Sequence, residues 1–127
     1  MSPTASSEEA AVKATLHAYA DAVFHADVDT LKKLFHPAAV MNGYLGDKLL
    51  VGSPEPFLAD VGGRPAMADS DAPYTATWSA VNISGRAATA TLNETGFFGA
   101  VNFVNYFHLL KVDGEWKLMS KTFESIE

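Results

Sequence analysis

Near the start of the chain apolar residues recur at helical spacing: Val12, Leu16, Tyr19, Ala20 and Val23 fall at i, i+4, i+7, i+8 and i+11. The spacing predicts a helix from Ser7 to His25 with one buried stripe, and Ser6 and Glu9 stand at capping-box separation ahead of it. A second, shorter helix is expected almost at once, with Asp27 as its N-cap and Val28, Leu31, Leu34 and Phe35 on its apolar side. Pro37 stops it, because proline cannot donate to the helical ladder and its ring clashes with the preceding turn. Ala38 to Tyr44 reads as a short strand running into a turn at Asn42-Gly43. Ser53-Pro54-Glu55 then supplies an N-cap, a proline at the first helical position and an acidic first turn, opening a short helix that Gly62-Gly63 closes. Arg64 to Ala72 has no period and predicts a loop.

From Pro73 the period becomes two. Tyr74 to Ile83, Ala87 to Thr95, Ala100 to Val112 and Glu115 to Phe123 are expected as strands, joined at Ser84-Gly85, at Gly96 to Gly99 and at Asp113-Gly114. Helices followed by an antiparallel meander give an α+β fold, and the absence of βαβ alternation argues against a dinucleotide-binding fold. A single domain over residues 7–127, preceded by a flexible segment at 1–6, accounts for the whole chain, and its 127 residues are enough for one proper core.

Composition narrows the function classes. With no cysteine, disulfides and thiolate metal sites are excluded; the first residues have neither the basic start nor the apolar run of a secretory signal, so the cytoplasm is the expected location. Asn82-Ile83-Ser84 and Asn93-Glu94-Thr95 match the glycosylation sequon but carry no weight without a secretory route. Nine Lys and Arg against fifteen Asp and Glu give a net charge of -6 without a basic cluster, which disfavours nucleic acid as a partner. Thr95 to Leu110 is uncharged but too short for a membrane span, and it carries Asn102, Asn105 and His108.

Five segments in this order carry a resemblance: Leu16-His17-Ala18-Tyr19, Ala26-Asp27-Val28-Asp29, Leu34-Phe35-His36-Pro37, Phe107-His108-Leu109-Leu110 and Asp113-Gly114-Glu115-Trp116-Lys117-Leu118. Together they resemble the nuclear transport factor 2-like superfamily with its cystatin-like fold. The chain is most similar to the small bacterial group described as putative lumazine-binding, beside the SnoaL-like polyketide cyclases and the ketosteroid isomerases. The resemblance implies a cone, with helices packed in a strongly curved antiparallel sheet and a pocket at the open end, and a homodimer formed through the sheet's outer face.

For the isomerase branch, the resemblance implies a helix tyrosine and a protonated aspartic acid that hold an oxyanion while a second aspartate moves the proton. Tyr19 falls on the tyrosine position; its alternative is a core tyrosine bonded to backbone. Gly43, beside Asn42, stands where the proton-moving aspartate belongs, and Asn105 stands where the other belongs. Both carboxylates are therefore missing, and an amide donates a hydrogen bond without supplying a base. Asp47, the nearest carboxylate, reads as a loop residue.

The remaining candidates are weaker. His17, Asp21 and His25 share one helix face, where Asp21 pairing with a histidine is expected in preference to metal binding. His36 is expected at the end of the second helix as a dipole-complementing cap, and His108 alternates opposite to Asn105, toward solvent or a dimer interface. The expected function is a binding protein whose apolar pocket takes a flat, largely apolar molecule. Its expected contacts are Tyr19, Asn42, Tyr44, Phe103, Asn105 and Phe107, with Asn42 and Tyr44 at the mouth and neither metal nor cofactor. Two alternatives stand beside it: an isomerase, dehydratase or polyketide-cyclase-like enzyme using Tyr19 with a base such as His36 or Asp47, and a non-catalytic dimerisation scaffold whose pocket is filled by side chains.

Overall fold

The computed structural model describes residues 5–71 and 73–126. Helix α1 (Ala5–Phe24) begins ahead of Ser6, so that residue lies inside the helix instead of capping it, and its side chain falls outside the described residues. The expected stripe is buried at Val12, Leu16, Tyr19 and Val23. Helix α2 (Val28–Leu34) is capped as its sequence demands: Asp27 accepts from the Thr30 N–H at 3.2 Å and the Thr30 hydroxyl at 2.7 Å. At its other end Lys117 donates to the Lys33 carbonyl at 2.8 Å, a contact that complements the helix dipole.

Strand β1 (Phe35–Leu45) starts earlier than Pro37 suggests, because Phe35 already pairs with Leu118. The ladder shifts register between Phe35 and Val40, and this irregularity takes in the proline that cannot donate to it. His36 is consequently a strand residue and not a helix cap; its Nδ1 accepts from the Ala38 N–H at 2.9 Å. Asn42-Gly43 also lies within β1, and the turn comes later, at Gly46-Asp47. Strand β2 (Lys48–Gly52), which the sequence pattern did not predict, returns antiparallel along β1.

Helix α3 (Glu55–Gly62) follows, with the Ser53 hydroxyl oxygen accepting from the Glu55 N–H at 3.3 Å and Gly63 closing it by donating to the Ala59 carbonyl at 2.9 Å. The expected loop beyond it is pinned by a 3₁₀ turn at Met67–Asp69, whose buried Met67 sulfur accepts from the Phe98 N–H at 3.1 Å. Strands β3 (Thr75–Ser84), β4 (Ala87–Phe97), β5 (Val101–Val112) and β6 (Glu115–Ile126) form the expected meander. The last hairpin turns on Asp113 and Gly114, both at positive φ (51° and 82°).

The six strands make one open sheet in the order β2-β1-β6-β5-β4-β3. Every adjacent pair is antiparallel except β1 with β6, so the expectation of an antiparallel sheet is corrected at that one pair. That parallel pair needs no crossover helix because the whole β2-to-β5 segment connects it. Register shifts interrupt the β1·β6, β3·β4, β4·β5 and β5·β6 ladders, and such bulges bend strands and increase twist. The sheet thus curves around the helices, with α1 touching both β3 and β6. The core between them includes Leu16, Tyr19, Leu31, Val61, Leu92, Phe107 and Leu118.

Candidate functional site

A cavity of about 360 Å³ opens beside this core, between the β1–β2 hairpin, α3 and the β4–β5 turn. Its walls are apolar: Met41, Leu45 and Leu50 from the hairpin, Phe57 from α3, Phe97 and Phe103 from β4 and β5, and Phe123 from β6. This size falls in the range that holds small ligands. Asp60 and Arg64 also line it, and the two are paired at 3.1 Å.

Glu94 and Asn105, which also line the cavity, form a small network with Tyr74. Period-two alternation along β4 buries Ala88, Ala90, Leu92 and Glu94 on the concave face, which leaves the Glu94 side chain 2% exposed. Both of its oxygens act as acceptors. Asn105 donates its amide to Oε1 at 2.7 Å, and the Tyr74 hydroxyl donates to Oε2 at 2.6 Å, lengths typical of charge-assisted bonds to a carboxylate. Asn105 also donates to the Leu92 carbonyl at 3.3 Å, while its own Oδ1 is buried without a partner among the described residues.

Lys121 reaches the same cavity from β6 and is 4% exposed. Its ammonium lies 4.0 Å from the centre of the Phe57 ring and 5.6 Å from those of Tyr19 and Phe123. Aromatic faces attract a cation, yet they replace only part of the hydration it has lost. Burial consequently brings the Lys121 pKa down to about 8, against the opposing pull of the Glu94 charge. Burial likewise raises the pKa of Tyr19 and of Tyr74, and the Glu94 charge pushes both further in the same direction.

The expected contact set is divided by this geometry. Phe103 and Asn105 line the cavity. Tyr19 and Phe107 are fully buried behind it, their ring centres 4.9 Å apart, and neither is among the lining residues. Phe57 is stacked on Tyr19 and faces the cavity in its place, leaving the Tyr19 hydroxyl buried without a partner among the described residues. Asn42 and Tyr44 lie on the opposite face of the sheet: Asn42 accepts from the Thr122 hydroxyl at 2.8 Å, and Tyr44 is 45% exposed. They are not at the mouth, because alternation along β1 turns Gly43 inward.

The Gly43 position explains why no carboxylate stands there. A Cβ on Gly43 would lie 2.1 Å from the Phe123 carbonyl oxygen, so the neighbouring strand fills the space that an aspartate would need. Among the alternative bases, His36 bonds its own strand and Asp47 is an exposed turn residue, and neither lines the cavity. His108 is exposed on the outer face, 2.8 Å from the Ser120 hydroxyl, and His25 pairs with Asp21 at 3.4 Å. The expectation of a pocket furnished only with neutral groups is overturned by Glu94 and Lys121. Of the helices, α3 lines the cavity, while α1 and α2 contribute no lining residue.

Among the described residues no helix is long and apolar enough to cross a membrane. No protein of curated function matches the chain. Solved structures share its fold throughout. An NTF2-like protein of unknown function from Shewanella baltica is 24% identical, covers 99% of both chains and superposes with a TM-score of 0.87. A second from Silicibacter pomeroyi is 22% identical over 98% of this chain and 100% of its own, with a TM-score of 0.86. A putative dehydratase of the NTF2-like family from Streptomyces avermitilis is 18% identical over 98% and 99%, with a TM-score of 0.70. These structures share the NTF2-like fold of this chain, and the family described as putative lumazine-binding matches residues 7–124, so the chain belongs to that family.

Proposed function

We propose that this chain binds a flat, largely apolar small molecule whose inner end presents an oxygen acceptor to Lys121. One observation carries the reading: the Lys121 ammonium is buried at an apolar cavity, and no described residue accepts a hydrogen bond from it. A buried cation without an acceptor is costly, so a ligand oxygen there gains a charge-assisted bond while the aromatic walls hold the ligand's body. Family membership and the volume of the cavity support ligand binding and weigh against a scaffold with a filled interior. A thermal-shift panel of aromatic amides, ketones and carboxylic acids tests it. A ligand held at one hundred times its Kd raises stability by about 2.7 kcal/mol. If the whole panel leaves the melting temperature unchanged, the reading is lost.

A second reading, an isomerase or dehydratase, is favoured by Glu94, a carboxylate lining the cavity where none was expected. In that reading Glu94 moves the proton and Lys121 stabilises the developing oxyanion. The NTF2-like relative described as a putative dehydratase fits this class. Turnover that survives unchanged in Glu94→Gln and in Lys121→Met would exclude it. For assembly, exposed Val40, Tyr44, Tyr106 and Leu110 on the convex face support a homodimer through that face, which sedimentation equilibrium would detect.

A further inference from the structure

Lys121 differs from the other lysines in the described part of the chain. Lys13, Lys111 and Lys117 each hold a carboxylate within 3.1 Å, and Lys32, Lys33 and Lys48 are exposed to solvent, whereas Lys121 is buried and forms no ion pair among the described residues. It is the one buried lysine among them, and its head group is boxed by Phe57, Tyr19 and Phe123 with the cavity on the open side. Methionine would fill such a place without the cost of burying a charge. An amine desolvated in an apolar pocket is instead the arrangement that makes lysine a nucleophile toward carbonyl carbon.

We propose that Lys121 is a covalent capture site for aldehydes and ketones, and for β-diketones in particular, in the same cavity to which ligand binding is assigned above. In the step the amine lone pair attacks a carbonyl carbon, a C–N bond forms and the carbonyl π electrons pass to the oxygen. That oxygen takes up a proton as the nitrogen gives one up. The carbinolamine hydroxyl takes up a second proton from solvent, its C–O bond breaks as the nitrogen lone pair forms the C=N bond, water leaves, and a protonated imine remains. With a β-diketone, loss of a proton from the central carbon gives a conjugated enaminone. The balance is amine plus diketone to enaminone plus water, with no oxidant or reductant.

Lys121 is suited to begin this step near neutral pH. With its pKa at about 8, about one chain in ten carries the free amine at pH 7, against about one in three thousand for a lysine at 10.5. Glu94 lines the same cavity, and its charge acts on Lys121 without an ion pair between them. No cofactor is required.

The proposal rests on the pocket accepting ligands, so the experiment separates the two. The full chain is incubated at neutral pH with benzoylacetone, and in parallel with N-butylbenzamide, which has similar shape and an acceptor oxygen but an amide carbonyl that does not condense with amines. Expected are a new near-ultraviolet absorbance, a mass gain of one diketone less one water per chain, and peptide mapping that places it on Lys121. N-butylbenzamide should raise the melting temperature and slow the adduct. A melting shift with N-butylbenzamide but no adduct on Lys121 overturns covalent capture and leaves the binding reading standing. Adducts spread at equal rates over surface lysines also overturn it. Absence of both the shift and the adduct removes both. Mapping is done on the natural chain, so the result does not depend on Lys121→Met folding; where that variant folds, it should gain no adduct.

Discussion

Asn105 and Glu94 are joined across the β4–β5 ladder by a buried 2.7 Å hydrogen bond, and that bond holds the carboxylate at the cavity wall. Tyr74 holds the second oxygen at 2.6 Å from just ahead of β3. Asn105→Ala leaves a buried charged acceptor short of one donor, and Tyr74→Phe does the same on the other side. Each should cost about 1–3 kcal/mol in urea denaturation. The two donors act on one group, so the double variant should depart from additivity by about 0.5 kcal/mol or more. Strict additivity would mean that Glu94 relaxes away from its partners and is not fixed.

Gly43 tests how tightly β1 and β6 approach. Even alanine would drive its Cβ into the Phe123 backbone, and a carbonyl oxygen within a ladder cannot swing aside as a side-chain tip can. Gly43→Ala should cost more than about 3 kcal/mol, with a correspondingly large fall in melting temperature. Gly43→Asp, the substitution that would restore the isomerase-like carboxylate, should fail to fold. A stable Gly43→Asp variant would show that the strands part readily and that the missing base is not a steric consequence.

Glu94 and Lys121 mark how far the sequence was legible. Helical stripes, the Asp27 cap and four period-two runs predicted α1, α2 and the meander, because each of those signals is local. Glu94 was readable too: it continues the inward phase of Ala88, Ala90 and Leu92, and a charged residue in that phase signals a site. Lys121 was not. Trp116 and Leu118 set a phase that would turn Ser120 and Thr122 inward, but the ladder pairs Leu118 with Leu109 and Ser120 with His108, which leaves Met119 as an extra residue. That bulge moves Lys121 and Phe123 to the concave face. Strand β2 escaped notice because Leu49 and Val51 are exposed at 56% and 75%, so apolar and polar positions do not alternate with burial there. For Tyr19 the buried stripe was right; only packing against Phe57 decides that its hydroxyl stays behind the cavity wall.

Stability should rise as the solution becomes moderately alkaline. The folded chain releases the Lys121 proton near pH 8, while the unfolded chain keeps it to about 10.5. Between those values the unfolded state binds more protons, so the unfolding free energy increases with pH, by on the order of 3 kcal/mol at most. Tyr19 and Tyr74 act in the opposite sense above pH 10. Their folded pKa values are raised, so the unfolded chain loses those protons first and stability falls. Urea denaturation across this range should give a maximum between about pH 8 and 10, and Lys121→Met should abolish the rise while keeping the fall. A flat profile in the natural chain would mean that the ammonium is better solvated than its burial implies.

Glu94→Gln separates the two forces acting on Lys121. Burial lowers the lysine pKa and the Glu94 charge raises it, with burial the larger. An uncharged glutamine keeps the side-chain length and an oxygen that can accept from Asn105 or Tyr74, but it removes the opposing charge. The Lys121 pKa should then drop below about 8, and the pH midpoint for its reaction with benzoylacetone should move to lower pH. The other ionisable groups of the cavity, Asp60 and Arg64, are already paired with each other and do not change between the two proteins. If Glu94 also takes the proton from the ammonium, the maximal rate above the midpoint should fall as well. An upward shift of the midpoint would mean that Glu94 does not act on Lys121 as a fixed negative charge, and would remove the basis for treating the two as one site.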